Sequence, residues 1–311
     1  MNILKTLQSL NACHGPSGDE AEVASLLEKL AMPFVDECRR DTMGNLIAHK
    51  KGAGSRVLFA AHMDSIGFIA TYIEKEGFVR FCKVGGLHAP DLIATPVRFK
   101  NGVRGLICLN EGVEPKEMTL EDLYIDIGAH DEEEARAMVG IGDTAVYDTP
   151  AFGAGDRLVS PYMDNRISCI VLLMAMEQFQ KSENDLYFVF TVQEELGLRG
   201  AKTAAYAIDP DYGIAVDVTV SADELGSKHS GSSRLGGGAA IKVMDSSIIC
   251  HPEMVSKLSA LAGERGIDVQ MDVIRSGGTD AGSIYTTKMG VLTGGISIPC
   301  RYVHTPQEMV D

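Results

Sequence analysis

The sequence predicts an α/β protein, built as a larger strand-and-helix domain interrupted by a small β-rich block. Three observations predict it. Four apolar runs of strand length end on acids or a histidine: Val57 to Asp64, Tyr187 to Glu195, Tyr212 to Asp217 and Val291 to His304. Helical stripes of apolar residues lie between and around these runs, as strands joined by helices require. From Ile69 to about Asp156 the pattern instead becomes short alternating strands joined by small turns. The expected division is 1–68 with 157–311 as one discontinuous domain, and 69–156 as the insert.

Taken in order, residues 1–12 read as a helix with Ile3, Leu4, Leu7 and Leu10 on one face. The stretch Gly15 to Gly18 breaks it. Ser17 and Glu20 then have capping-box spacing ahead of a helix over Ala21–Leu30, whose Val23, Leu26, Leu27 and Leu30 make a core stripe. Asp41 to Asn45 reads as a turn and Leu46 to His49 as a strand, followed by the strand that ends at His62 and Asp64. Inside the insert, Glu76-Gly77 and Asn101-Gly102 sit between alternating runs and predict hairpins. An acidic helix over Asp131–Val139 and a strand over Thr144–Tyr147 follow.

Beyond Asp156 the larger domain resumes. Asp164 opens a helix to Phe179, with Ile167, Ile170, Val171 and Met174 expected on its buried side. Phe188 to Val192 is aromatic and β-branched throughout, the composition of a central strand buried on both faces. Next come a helix over Ala201–Ala207, the Asp217 strand, and a Gly- and Ser-rich loop over Gly226–Gly238 expected to line a cleft. Strand Ala239–Met244, helix Pro252–Gly263 and strand Val269–Ile274 lead to Ser276–Gly282, where Gly277 to Asp280 fits either a substrate-contacting turn or a plain tight turn. The last strand spans Gly290–Ile298. Thr305, Pro306 and Glu308 carry the N-cap, first-position and N3 signals of a helix start, which predicts a C-terminal helix running past Asp311.

Composition narrows the partners. A net charge of −15 argues against nucleic acid, whose phosphates need clustered Lys and Arg. No apolar run has the length of a membrane span, and residues 1–15 lack the charged and apolar regions of a secretion signal. Seven scattered cysteines without a CxxC suggest reduced thiols and a cytoplasmic protein.

The candidate site is the set of strand-end residues. His62, Asp164, Glu195, Asp217 and His304, with Asp64 and Glu194 beside them, all fall where open α/β sheets bind ligands. Any one of them alone is usually a turn or surface residue; their conjunction points to a site. Two imidazoles and three carboxylates suit a pair of borderline divalent cations such as zinc, cobalt or manganese. Two such ions about 3.5–4 Å apart need one bridging group, which a carboxylate can supply. Asp64 lies two residues from His62 and can accept its second ring N–H, fixing the tautomer. Glu194 and Glu195 would point different ways, one towards metal and the other towards water. The remaining histidines (His14, His49, His88, His130, His229, His251) have no such partners and read as surface or packing residues.

The order HxD, Asp, Glu-Glu, Asp, His resembles the co-catalytic metallo-aminopeptidases, and specifically metallopeptidase family 42, which includes glutamyl, deblocking and tetrahedral (TET) aminopeptidases. Nearly the whole chain carries the likeness: Gly15 to Gly18, Gly44-Asn45, His62 to Asp64, Met163 to Arg166, Val192 to Gly197, Ala215 to Asp217, Gly277 to Asp280 and Tyr302 to His304. Carboxypeptidase-like relatives insert their extra domain later in the chain, whereas here it follows the HxD directly, as in this family. Two positions depart from the family: Ser65 stands where it often has Glu, and Asn165 where it often has a second Asp.

The resemblance implies a mixed-sheet metallo-aminopeptidase domain of the phosphorylase/hydrolase-like type with an inserted β-barrel-like dimerisation domain. By resemblance, Asp164 bridges two metals, His62 and Asp217 complete one position, and Glu195 and His304 complete the other. Glu194 would be the general base. The implied activity is removal of N-terminal residues from short peptides by a water that two metals activate. A homo-oligomer built from dimers, up to a dodecamer, is the implied assembly. Another two-metal amidase (a deacylase or carboxypeptidase) and a catalytically silent scaffold are the alternatives. A glycosidase fits less well, because its two acids must flank a sugar bond ~5–9.5 Å apart.

Overall fold

The computed structural model describes residues 1–114, 116–179, 181–227 and 231–311. Its elements begin with helices α1 (Ile3–Ala12) and α2 (Ala21–Ala31) and strands β1 (Glu37–Arg40), β2 (Leu46–Lys50) and β3 (Arg56–His62). Strands β4 (Gly67–Ile73), β5 (Val79–Val84), β6 (Pro96–Phe99), β7 (Arg104–Leu109), β8 (Leu123–Asp126) and β9 (Thr144–Tyr147) follow, with α3 (Glu132–Met138) before the last. Next are β10 (Phe152–Ala154), β11 (Arg157–Ser160), α4 (Met163–Gln178), β12 (Asp185–Thr191), α5 (Arg199–Ile208) and β13 (Tyr212–Val220). The chain continues with β14 (Ala239–Met244), α6 (Pro252–Arg265), β15 (Val269–Val273), α7 (Ala281–Tyr285), β16 (Leu292–Arg301) and β17 (Glu308–Val310).

An 11-stranded mixed sheet runs in the order β1-β2-β12-β3-β13-β16-β17-β11-β10, with β14 hydrogen-bonded to β16 and β15 to β14. Its centre is parallel: β12 and β13 flank β3, and β16 flanks β13. Side chains alternate across this centre as a pleated strand dictates. Ala48, Ala61, Phe188 and Phe190 face a core shared with α1, α2 and α4, whereas Ile47, Leu58, Ala60 and Val189 face one shared with α5 and α7. Burial on both faces explains why β12 reads as an unbroken apolar run.

The inserted strands close into a separate barrel, β4-β5-β8-β7-β6-β9, around Phe68, Ile73, Val79, Val97, Phe99, Ile107 and Ile125. The expected hairpins are there: Gly77 turns with φ +89 between β4 and β5, and Gly102 with φ +93 between β6 and β7. Both conformations favour a residue without Cβ. The barrel leaves the large sheet after β3, and the chain rejoins it at β10.

Four local expectations differ from the structure. Ser17 and Glu20 form no capping box on α2; the Ser17 hydroxyl donates to Asp64 Oδ2, and Glu20 Oε1 accepts from the backbone of Gly18 and Gln193. Partners outside the helix, an acceptor for Ser17 and backbone donors for Glu20, compete successfully for these side chains. Val171 and Met174 lie on the outer side of α4, while Ile167, Ile170, Leu173 and Met176 are buried. That helix is apolar nearly all round, so periodicity alone does not choose a face. Asp217 lies inside β13, which continues to Val220 because β16 pairs along its whole length. Finally, Thr305 to Glu308 starts no helix. Glu308 opens strand β17, which is held between β11 and β16.

Candidate metal centre

The parallel strands β3, β12 and β13 end on one edge of the sheet, and this brings the strand-end residues together. His62 is the last residue of β3, opposite Thr191 on β12, so the two acids after β12 lie beside it. Asp164 comes from the head of α4, where it and Asn165 depart from helical geometry (Asp164 φ −76, ψ 100). His304 follows β16 with φ +67.

Asp164 is the middle of the cluster. Its Oδ1 lies 2.9 Å from His62 Nε2, and its Oδ2 lies 3.2 Å from His304 Nε2. On the first side, Asp217 Oδ1 is 3.6 Å and Glu194 Oε2 3.9 Å from His62 Nε2. On the second side, Glu195 Oε1 is 3.3 Å from His304 Nε2 yet makes no hydrogen bond. Two groups therefore have donor atoms close enough to surround one ion each: His62, Asp164 and Glu195; and His62, Glu194 and Asp217. Sequence reasoning makes Glu194 a base and not a ligand; the geometry leaves it within reach of the first position.

The charge balance fits metal. Burial opposes charge on both imidazoles, but the carboxylates around them prevail: Glu194, Asp217 and Asp164 hold His62 well above its ordinary value, and Glu195 with Asp164 pushes His304 up to about 12. Burial raises Glu194, Glu195 and Asp217, with neighbouring acids adding to it. Asp164 goes the other way: burial opposes its charge, yet His304 and His62 hold it below the usual carboxylate range. Four buried acids around two imidazoles are a nest of negative charge that divalent cations would neutralise, and oxygen with imidazole is a borderline donor set.

A second layer of contacts fixes these groups. Asp64 is fully buried and accepts from Glu194 N (3.0 Å), Glu195 N (3.3 Å) and Ser17 Oγ (2.6 Å). His62 Nδ1 is nearer the main-chain oxygen of Asp64 (3.2 Å) than its carboxylate (3.5 Å). With Glu20 holding Gln193 N at 3.2 Å, two buried acids bind three successive N–H groups of the loop that carries Glu194 and Glu195. Gln193 itself has φ +53, a strained backbone that such contacts can sustain.

Asp280, at the end of the Gly277 to Asp280 turn singled out in the sequence, accepts from Thr191 Oγ1 at 2.5 Å and is pushed up to about 7 by burial. Other contributors carry no such signal in the sequence. Glu308 accepts from both Asp164 N and His304 N. The barrel supplies Gly85 and Gly86, after β5. A Cβ on Gly86 would stand 2.8 Å from His304 Nδ1, and one on Gly85, whose φ is +79, 3.0 Å from Glu195 Oε2. Adjacent glycines were the available signal, but nothing local says what approaches them. The other histidines have structural contacts: His14 with Thr144, His49 with Glu37 and Asp185, His88 with Asp91, His130 with Glu134, and His251 capping α6. His229 lies outside the described residues.

A cleft of about 590 Å³ opens over the cluster. Its further wall is neutral, with Val218, Val220, Ile274, Ser247 and Thr279, and includes Gly277 and Gly278 of the turn singled out in the sequence. No described residue of the Gly226–Gly238 loop lines it, and residues 228–230 of that loop lie outside the described residues.

A mixed α/β sheet interrupted by a closed barrel, with two adjoining carboxylate–imidazole nests beside its strand ends, defines a candidate two-metal site, and comparison with known proteins makes the chain a metal-dependent peptidase. The chain belongs to the M42 glutamyl aminopeptidase family, whose profile matches residues 44–311. It is 48% identical over 303 residues to a protein of Acetivibrio thermocellus, covering 97% of this chain and 92% of that one. The aminopeptidase APDkam598 from the archaeon Desulfurococcus kamchatkensis superposes with a TM-score of 0.95 at 39% identity, covering 99% of this chain and 90% of that one. The TET1 peptidase of Pyrococcus horikoshii, described as assembling into a tetrahedron or a large octahedral shell, superposes with a TM-score of 0.87 at 31% identity. That match covers 99% of this chain and 94% of the TET1 chain.

Proposed function

We propose that this metallopeptidase removes N-terminal residues from short peptides, with two divalent ions, zinc or cobalt and alternatively manganese, held between His62, Asp164, Glu195, Asp217 and His304. The observation that carries this reading is Asp164, whose two oxygens are divided between His62 and His304. Asp164 would bridge, His62 and Asp217 would complete one position, and Glu195 and His304 the other. When bound, such ions polarise a carbonyl and lower the pKa of a water towards ~7. Glu194, whose Oε2 lies 3.9 Å from His62 Nε2, would take a proton from water and pass it to the departing amine. Asp64 orients this acid through the backbone N–H of Glu194. The neutral cleft wall receives the substrate side chain without a fixed charge.

Hydrolysis of a free-amine dipeptide next to its N-acetylated form tests the activity. Cleavage of the free amine alone is expected; preference for the acetylated form would make this a deacylase or another amidase instead. A silent scaffold is disfavoured because every proposed ligand is present.

The proposed assembly is a homo-oligomer built from dimers through the barrel, possible sizes extending to a dodecamer. It is supported by the inserted barrel and by the likeness to TET1. Light scattering is expected to give a multiple of 33.4 kDa; a clean monomer at about micromolar concentration would rule the assembly out. A cytoplasmic location is supported by seven free cysteines. Among the described residues no helix is long and apolar enough to cross a membrane.

A further inference from the structure

Glu308 is an acid that the proposed reaction does not use, yet it is buried, with 1% of its surface exposed. Its two oxygens serve two different parts of the chain. Oε2 accepts from Asp164 N at 2.9 Å, and Oε1 accepts from His304 N at 2.6 Å. Asp164 N belongs to the first turn of α4, where backbone donors lack helical partners. His304 has φ +67, a conformation that a residue with a Cβ keeps only when its surroundings impose it. Glu308 is itself anchored at the start of β17, opposite Ser160 on β11, while the next residue pairs with Arg301 on β16.

We infer that Glu308 is a positioning residue: one anchored carboxylate ties the backbone of the proposed bridging acid to that of the proposed histidine ligand, and so sets the spacing of the second metal position. A carboxylate suits this task because both oxygens accept. A glutamine can accept on one side only, and its amide nitrogen would face the other backbone N–H. Without the clamp, His304 loses the contact that holds its backbone, and its Nε2 is no longer fixed 3.2 Å from Asp164 Oδ2.

The inference rests on the two-metal reading, and the experiment separates the two. The full-length enzyme is loaded with Co(II), and the ion is withdrawn by a competing chelator while its visible absorption is followed. Glu308→Gln and Glu308→Ala are compared with wild type, and each stripped protein is also melted. Both variants are expected to surrender one Co(II) at a chelator concentration ~10–100-fold below wild type, the range typical for groups that orient metal ligands. The Co(II) spectrum should change with it, and kcat should fall more than KM rises. Wild-type competition curves and spectra in the variants would overturn the clamp, even with a lowered melting temperature, because Glu308 would then be a structural brace only. If Glu308→Ala does not fold, the isosteric Glu308→Gln decides alone. A wild-type enzyme that takes up fewer than two ions would instead overturn the two-metal reading, and the clamp with it.

Discussion

Asp164→Ala should deplete both metal positions at once. The aspartate touches both histidines of the cluster, one with each oxygen, so this one substitution removes a donor from both sides. Elemental analysis after reconstitution should drop from about two ions per chain to fewer than ~1. Activity should fall by at least ~10³-fold, since several kcal/mol of transition-state charge stabilisation would be lost at about 1.4 kcal/mol per tenfold. Asp217→Ala, which reaches only His62 at 3.6 Å, should by contrast spare the His304 side. A fully loaded Asp164→Ala enzyme would mean that the bridge is misassigned.

Glu194→Gln and Glu195→Gln should have opposite signatures although the residues are neighbours. Glu194→Gln keeps the size of the side chain but cannot accept a proton. It is expected to lower kcat by ~10²–10⁴-fold while the metal content stays near wild type. Glu195→Gln should weaken metal binding itself, because Glu195 Oε1 faces His304 Nε2 at 3.3 Å with no hydrogen-bond donor of its own. Glu194 also stands within ligand distance of the position shared by His62 and Asp217. The pair of measurements, metal content and kcat for each variant, therefore decides its role. Loss of metal in Glu194→Gln with retention in Glu195→Gln would reverse the two assignments. Near-normal kcat in Glu194→Gln would remove that residue from the chemistry.

Much of this molecule is determined by the sequence alone, because much of its physics is local. Phe188 to Phe190 must be buried on both faces, so β12 is a central strand wherever it pairs. Gly102 needs its positive φ for the hairpin whatever surrounds the barrel. Parallel strands that share one sheet edge bring His62, Glu194 and Glu195 near each other, and those strand ends are written in the hydrophobic pattern; Asp217 joins them from within β13. The tertiary structure decided the rest. Ser17 and Glu20 match a capping box, but their partners are Asp64 and the Gln193 backbone. The buried face of α4 follows from what packs on it, since its own sequence is apolar nearly all round. Gly85 and Gly86 matter because the barrel folds back against His304 and Glu195. Glu308 has the local signature of a helix start, yet it becomes the first residue of a strand whose carboxylate meets Asp164, 144 positions away. The physical reason is that each of these depends on what the finished fold brings alongside. For Glu20 and Glu308, a side-chain acceptor goes to whichever backbone N–H the packed chain leaves unpaired, which is not a property of any stretch within it.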